Sequence, residues 1–502
     1  MVRGPRLEPS VQDVRALAAG DGIKRVPVKR ELYADGITTI QAMRRLRAAS
    51  KHCFLLESAE ADERWGRYSF LGYEPTLELT CANGLLRITR HVEDGCTPVV
   101  ETAQVEHPGE AIRAVLAANR SAQVEGFPTF SGGLVGYFSY DYIKYAEPTL
   151  RRDELDHGDF LDVDLMLFDS VICFDAYRQK VILITGVRAD DVDASYEQAA
   201  ARLDAIEDVL MNGPCHEFEP LQLQGQLTPR FDTATFCEKV ERAKHHIREG
   251  DIFQVVPSNP RTAAATGSLF DTYRVLRGAN PSPYMFYFTS DDIEIAGASP
   301  ETLARLQDGT LTTYPLAGTR PRGATPEEDA ALEAGLLADE KELAEHDMLV
   351  DLGRNDLGRV SAIGSVHVDE YRKILRFSRV MHIGSTVVGQ IAEDKDAVDV
   401  VDAILPAGTL SGAPKLRACQ IIQDLEGSKR GIYGGAIGYL DFTGNLDTCI
   451  AIRLAYKKNG RVCVQTGAGI VADSVPENED AECRNKARAV LEALAEAEGG
   501  LA

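Results

Sequence analysis

The 502-residue chain has little of what is expected of an exported or membrane-bound protein. It has no run of 18 or more apolar residues, so no segment is expected to span a membrane. Met1–Ser10 carries arginines but no apolar core, so no secretory signal is expected. Ten cysteines are present, none in a CxxC pair, and several sit in apolar runs such as Val171-Ile172-Cys173-Phe174. Reduced, buried thiols in a cytoplasmic protein fit that pattern, and a disulfide frame or zinc site does not. Positive charge is also scarce. Lys and Arg total 54 against 77 Asp and Glu, a net charge of −23. A nucleic acid needs a dense basic face, so it is not an expected partner. An anionic substrate would be repelled at long range, so its site must supply cations locally.

Nucleotide and hydrolase signatures are missing too. Phe130–Tyr137 is glycine-rich but is neither GxGxxG nor a P-loop, and no GxSxG elbow occurs. No fixed-period repeat or low-complexity tract divides the chain. The Gly-, Pro- and Gln-rich stretch after the helical run Asp193–Met211 is the clearest join. It predicts an N-terminal part over 1–212, a linker over 213–228 and a C-terminal part over 229–502. Helices are expected at Thr233–Arg248, Pro326–Leu352, Ala397–Leu405 and Pro414–Leu425. Strands are expected at Cys53–Glu57, Val163–Phe174, Lys180–Thr185, Ile252–Pro257, Ala436–Phe442, Thr448–Ala455 and Arg461–Thr466. Short turn-like joints between successive strands imply antiparallel hairpins, hence an α+β fold with large antiparallel sheets.

Two acidic pairs stand out. The last helix begins near Pro476 and buries Ala487, Val490, Leu491 and Leu494 at helical spacing. Beside that stripe lie Glu479, Glu482 and Lys486. Glu342 and Glu345 repeat the one-turn spacing. Such a pair is either a solvated acidic face or a set of hard oxygen ligands suited to Mg²⁺. Thr466-Gly467-Ala468-Gly469 is either a tight turn or a cradle whose backbone N–H groups meet a carboxylate. Pro315–Gly323 adds a second small-residue segment with two arginines.

Set in order, these segments resemble the chorismate-utilising enzymes, and within them the large-subunit (component I) branch of anthranilate synthase. The resemblance rests on GDIFQVVPS (Gly250–Ser258), GASPE (Gly297–Glu301), PLAGTRPRG (Pro315–Gly323) and KELAEHDMLVDLGRNDLGRV (Lys341–Val360). It continues through VMH (Val380–His382), PAGTLSGAPK (Pro406–Lys415), YGGAIGY (Tyr433–Tyr439) and TGAGIVADSVPENE (Thr466–Glu479), then Glu482 and Asn485-Lys486. It implies stacked antiparallel sheets with helices on the outer faces. It implies Mg²⁺ at Glu345 and Glu482, supported by Glu342 and Glu479. Chorismate would lie against Gly318, Thr319, Thr409, Tyr433, Arg453, Gly467, Ala468, Gly469 and Lys486. Glu301 would act as general acid, and His382 would assist loss of pyruvate.

Within the family two positions discriminate. Water-using members carry a lysine base where Gln254 stands, and ammonia needs none. The aminodeoxychorismate branch carries a lysine nucleophile where Ala317 stands. The resemblance therefore implies chorismate and ammonia as substrates, anthranilate and pyruvate as products, and a lyase on the tryptophan pathway. No glutaminase is visible, so a separate glutamine amidotransferase subunit would supply ammonia, in a heterotetramer. Leu55-Leu56-Glu57-Ser58 and Asn280–Met285 resemble the two walls of the family's tryptophan feedback site, with Glu57, Ser58, Pro283, Tyr284 and Met285 in contact. The alternatives are an aminodeoxychorismate synthase large subunit and a non-catalytic tryptophan-binding homologue.

Overall fold

The structure is a computed structural model, and it describes residues 7–58, 66–90, 98–155, 160–291, 293–376 and 380–501. The start of Met1–Ser10 and Cys96 lie outside these residues. Two antiparallel sheets dominate, of 11 and 12 strands among the described residues. The first runs from Arg25–Tyr33 at one edge through Cys53–Glu57, Tyr284–Thr289 and Ile293–Ser299 to Gln222–Pro229 at the other. The second runs from Leu316–Pro321 and Val380–Gln390 through Thr302–Gln307, Leu446–Ile450 and Ala436–Asp441 to Val99–Gln104.

Alternation decides the layers. Residues two apart share a sheet face, so each strand offers one row inward and one outward. Inward rows from both sheets meet in an aromatic core that includes Phe54, Phe168, Phe286, Phe288 and Ile437. Outward rows bury helices. Thr39–Ala49, Val192–Asn212, Phe270–Ala279 and Pro476–Ala497 cover the first sheet. Glu340–Gly358 and Ala397–Ile404 cover the second. The architecture is α+β, with stacked antiparallel sheets and helices outside, as expected. No helix among the described residues is long and apolar enough to cross a membrane.

Several expected elements split. Thr448–Ala455 reads as one strand but is two, Leu446–Ile450 in the second sheet and Leu454–Lys458 in the first. Val163–Phe174 divides the same way at Asp169. Hydrophobicity is continuous across such crossings because both flanks are buried, so period alone hides them. Pro326–Leu352 is two helices, Pro326–Leu337 and Glu340–Gly358, because Asp339 caps the second through the Lys341 and Glu342 N–H groups. Ile252–Pro257 shrinks to the two-residue strand Gln254–Val255. The stretch 213–228 contains most of an edge strand, Gln222–Pro229, and both sheets draw strands from either side of it.

Candidate active site

Two sheet-to-sheet crossings build the site. The chain leaves the first sheet at Ser299 and enters the second at Thr302, placing Glu301 in the step. It returns between Ile450 and Leu454, placing Arg453 in the opposite step at φ +52°. The steps are stitched together. The Ile450 N–H donates to the Glu301 carbonyl at 2.9 Å and the Ala298 N–H to the Arg453 carbonyl at 3.1 Å.

Burial pushes the Glu301 carboxyl up to about 7, against the Thr409 hydroxyl, Lys486 and Arg453, which favour its charged form. Thr409 Oγ1 donates to Glu301 Oε1 at 2.9 Å. A 40 Å³ cavity is lined by Glu301, Thr409 and Asp356 among others. Burial holds the Arg453 guanidinium below its usual range, and Nη1 donates to the Lys486 carbonyl at 2.9 Å. Lys486 Nζ reaches the Gly467 carbonyl at 3.2 Å and Glu482 at 2.7 Å.

His382 stands on Val380–Gln390, opposite Thr319. A bulge between Ala317 and Thr319 turns the Gly318 carbonyl toward it, and Gly318 sits at φ +66°, where a side chain would be strained. His382 Nδ1 is 2.9 Å from that carbonyl and 3.1 Å from Thr319 Oγ1. A carbonyl only accepts, so Nδ1 carries the hydrogen and the neutral ring is deprotonated at Nε2. Burial, then Arg453, lowers the imidazole's pKa and keeps it neutral at neutral pH. Ala317 is buried and offers no nucleophile.

Gly467-Ala468-Gly469 passes close to two other site residues. A Cβ on Gly467 would lie 3.1 Å from the Tyr433 hydroxyl, and one on Gly469 2.7 Å from Gln254 Nε2. Gln254 is buried, and its Oε1 has no hydrogen-bond partner among the described residues. The loop is a weaker anion cradle than its small residues imply, because the Ala468 N–H is committed to the Pro257 carbonyl at 3.3 Å.

The four glutamates come from facing helices. Burial raises the Glu345 carboxyl, and Glu342 and Glu482 raise it further. Burial also raises Glu479, with Glu482 adding to it. Among the described residues no three acidic or imidazole side chains stand ready-made as a metal cage. Arg320 holds Glu342 at 3.2 Å and Lys486 holds Glu482. The donor set nonetheless fits a hard dication, since crowded carboxylates that repel one another are relieved by one.

A second hollow, of 1090 Å³, opens between the sheets. Glu57, Ser58, Pro283, Tyr284 and Met285 all line it, because Cys53–Glu57 pairs with Tyr284–Thr289 and sets Glu57 opposite Met285. The Glu57 carboxylate is already spent, accepting from Thr39 Oγ1, Tyr273 Oη and Arg277 Nε at 2.7, 2.5 and 2.9 Å. Only its backbone remains for a ligand. Ser58 Oγ is buried without a partner among the described residues. Sequence reasoning missed Asp447, which accepts from the Tyr284 hydroxyl at 2.8 Å and lines the same hollow.

The sequence profile of the chorismate binding enzymes matches residues 51–492. The chain belongs to that family. Family relatives named anthranilate synthase component 1 align almost end to end. The one from Acetivibrio thermocellus is 44% identical over 97% of this chain and 99% of its own. The one from Pseudomonas aeruginosa is 44% identical over 96% and 97%. The crystal structure of anthranilate synthase component I from Streptococcus pneumoniae superposes with a TM-score of 0.73 at 38% identity, covering 86% of this chain and 93% of that one. The menaquinone-specific isochorismate synthase of Escherichia coli, at 18% identity and a TM-score of 0.65, shares the family fold.

Proposed function

We propose that this chain converts chorismate and ammonia to anthranilate and pyruvate in the cytoplasm, as the first committed step of tryptophan biosynthesis. One observation carries the reading. A carboxyl raised to about 7 stands between Thr409, Arg453 and Lys486, while Gln254 and Ala317 occupy the positions where other branches carry lysines. Chorismate has two carboxylates. Arg453 and Lys486 face one of them, with Thr319 and Tyr433 along the ring. Mg²⁺, held by Glu345 and Glu482 with Glu342 and Glu479 behind them, would neutralise the other and orient the ring.

Glu301, half protonated near pH 7, gives its proton to the C4 hydroxyl, which departs as water while ammonia bonds to C2. Gln254 Oε1 accepts a hydrogen from the incoming nitrogen, so no base is needed. The new ammonium group then returns one proton to Glu301. His382 takes the C2 proton through Nε2, the C3–O bond breaks to release the enolate of pyruvate, and the ring becomes aromatic. The proton taken up by His382 passes to the enolate's methylene carbon to give pyruvate. Ammonia reaches C2 from a separate glutamine amidotransferase subunit in a heterotetramer. Tryptophan binds in the 1090 Å³ hollow and inhibits, with Ser58 and the Glu57 backbone at its polar end and Pro283–Met285 against its indole.

The purified chain, given chorismate, Mg²⁺ and an ammonium salt, should develop anthranilate fluorescence, and glutamine alone should give none. A non-fluorescent amino product, or no turnover, would overturn the reading.

A further inference from the structure

The helix Lys415–Glu426 ends on a buried acid, and four residues later the chain brings a buried arginine back against it. Glu426 is 4% exposed and Arg430 2%. Arg430 Nε donates to both carboxylate oxygens at 3.1 and 3.0 Å, and Nη2 donates to Oε1 at 2.5 Å. The same guanidinium also reaches two separate backbone segments. Nη1 donates to the Leu410 carbonyl at 2.7 Å, and Nη2 to the Val256 carbonyl at 2.5 Å. Its carbon lies 4.4 Å from the Tyr140 ring centre and 5.7 Å from that of Tyr433. Ser258 also donates to Glu426 Oε1, through its N–H at 2.7 Å and its hydroxyl at 2.9 Å.

Three of these partners lie in or beside the site. Leu410 follows Thr409, Val256 is two residues past Gln254, and Tyr433 stands beside Gly467. The two clasped segments also meet directly, through the Val256 N–H and the Ser411 carbonyl at 3.0 Å. A buried ion pair is weak evidence for stability, since an apolar pair of similar volume often serves as well. An apolar pair cannot hold two carbonyls from different segments at fixed angles. A planar fork can, and an ammonium cannot reproduce it.

We propose that Arg430, braced by Glu426, is a positioning residue for the chorismate corner. Its fork sets the segment bearing Thr409 against the segment bearing Gln254 and backs Tyr433. The chemistry it serves rests on the function proposed above. When the fork is lost, the Thr409–Glu301 hydrogen bond lengthens. Lys486 and Arg453 still face Glu301, and Asp356 still closes the small cavity. Loss of the Thr409 bond removes a force that favours the carboxylate, so the Glu301 carboxyl titrates at higher pH.

The test compares Arg430→Lys, Glu426→Gln, Thr409→Val and the Arg430→Lys/Thr409→Val pair on the full chain. Arg430→Lys should unfold cooperatively yet lose about 10²-fold in kcat, the order expected for misplaced reacting groups. The pH above which its rate per free ammonia falls should move up, as in Thr409→Val. The double variant should lose little more than Arg430→Lys alone. A folded Arg430→Lys with wild-type kcat and pH profile would overturn the proposal, as would losses that simply multiply. Hydrogen exchange gives an independent reading, whether or not Arg430→Lys folds. Glu426→Gln should speed exchange at Val256 relative to the sheet interiors, and unchanged exchange would count against the clasp. If the wild type makes no anthranilate, the proposed function falls, and the clasp stands or falls on hydrogen exchange alone.

Discussion

The corner around Glu301 and the 1090 Å³ hollow lie along the same pair of sheets and are built in opposite ways. The corner is crowded with charge. Arg453 and Lys486 act on the buried Glu301 carboxyl, Glu342 and Glu482 raise that of Glu345, and the cavity beside Glu301 holds only 40 Å³. The hollow is wide, and the carboxylate of Glu57 in its wall is satisfied by Thr39, Tyr273 and Arg277. A preorganised, charged pocket suits a reaction in which charge moves. A roomy pocket with an unspent hydroxyl at Ser58 suits an equilibrium ligand. One strand joins them. Val380–Gln390 carries His382 at the corner, and Gly384 and Thr386 two and four residues on, along the same row, where they line the hollow. A ligand that shifts this strand reaches His382 without crossing the core.

The largest effect should come from the acid. Glu301→Gln keeps the shape and the Thr409 contact and removes the proton. Chorismate consumption should fall about 10³-fold, within the range for lost general acid catalysis, while tryptophan binding by calorimetry stays intact. Loss of both would erase the distinction between the two regions. The wild type's pH profile has a definite sign. Glu301 must be protonated to act, so the rate per free ammonia should fall as pH rises through about 7. A rate that rose through that range would make the carboxylate, not the acid, the working form. His382→Met comes next. It should still consume chorismate while anthranilate appears about 10²-fold more slowly and an amino intermediate accumulates on chromatography. Anthranilate at the wild-type rate would remove His382 from the second step.

The corner was far more legible in the sequence than the hollow, and so was the general architecture. Large antiparallel sheets followed from short joints between strand-like runs, and their stacking from the family resemblance. The corner's residues lie in short runs whose order is itself informative, from GASPE to TGAGIVADSVPENE. The crossing that places Arg453 was not legible, because the buried strands on both sides of it read as one apolar run, Thr448–Ala455. The hollow's walls were named, but not which way Glu57 points. That depends on Tyr273 and Arg277, over 200 positions away. Arg430 was missed for a different reason. The run that drew notice begins at Tyr433, and a buried arginine looks in sequence like any surface one. Its one clue is Glu426, four positions before it at a helix end.

Gly469→Ala should cost less than either catalytic change. The added carbon would sit 2.7 Å from Gln254 Nε2, and the amide would have to give way. The displaced amide would no longer sit where the incoming nitrogen needs it, so about a tenfold loss in ammonia-dependent kcat/KM is expected, with Tm little changed. A large fall in Tm without a kinetic change would mean that the glycine serves packing alone.

Ser58→Phe should have the smallest effect on turnover and the most pointed one on regulation. Its ring would fill the space next to Met285 and Tyr284 and remove a buried hydroxyl that has no partner among the described residues. Glu57, one residue before it, keeps its contacts on the opposite face, so the strand Cys53–Glu57 has no reason to shift. Anthranilate formation should therefore stay within about twofold of the wild type, as for changes remote from the reacting groups. Tryptophan should no longer inhibit, and calorimetry should find no tryptophan binding. Retained inhibition would place the regulatory ligand elsewhere. Lost inhibition with a matching loss of turnover would show that hollow and corner are one working unit, coupled through Val380–Gln390 even without ligand.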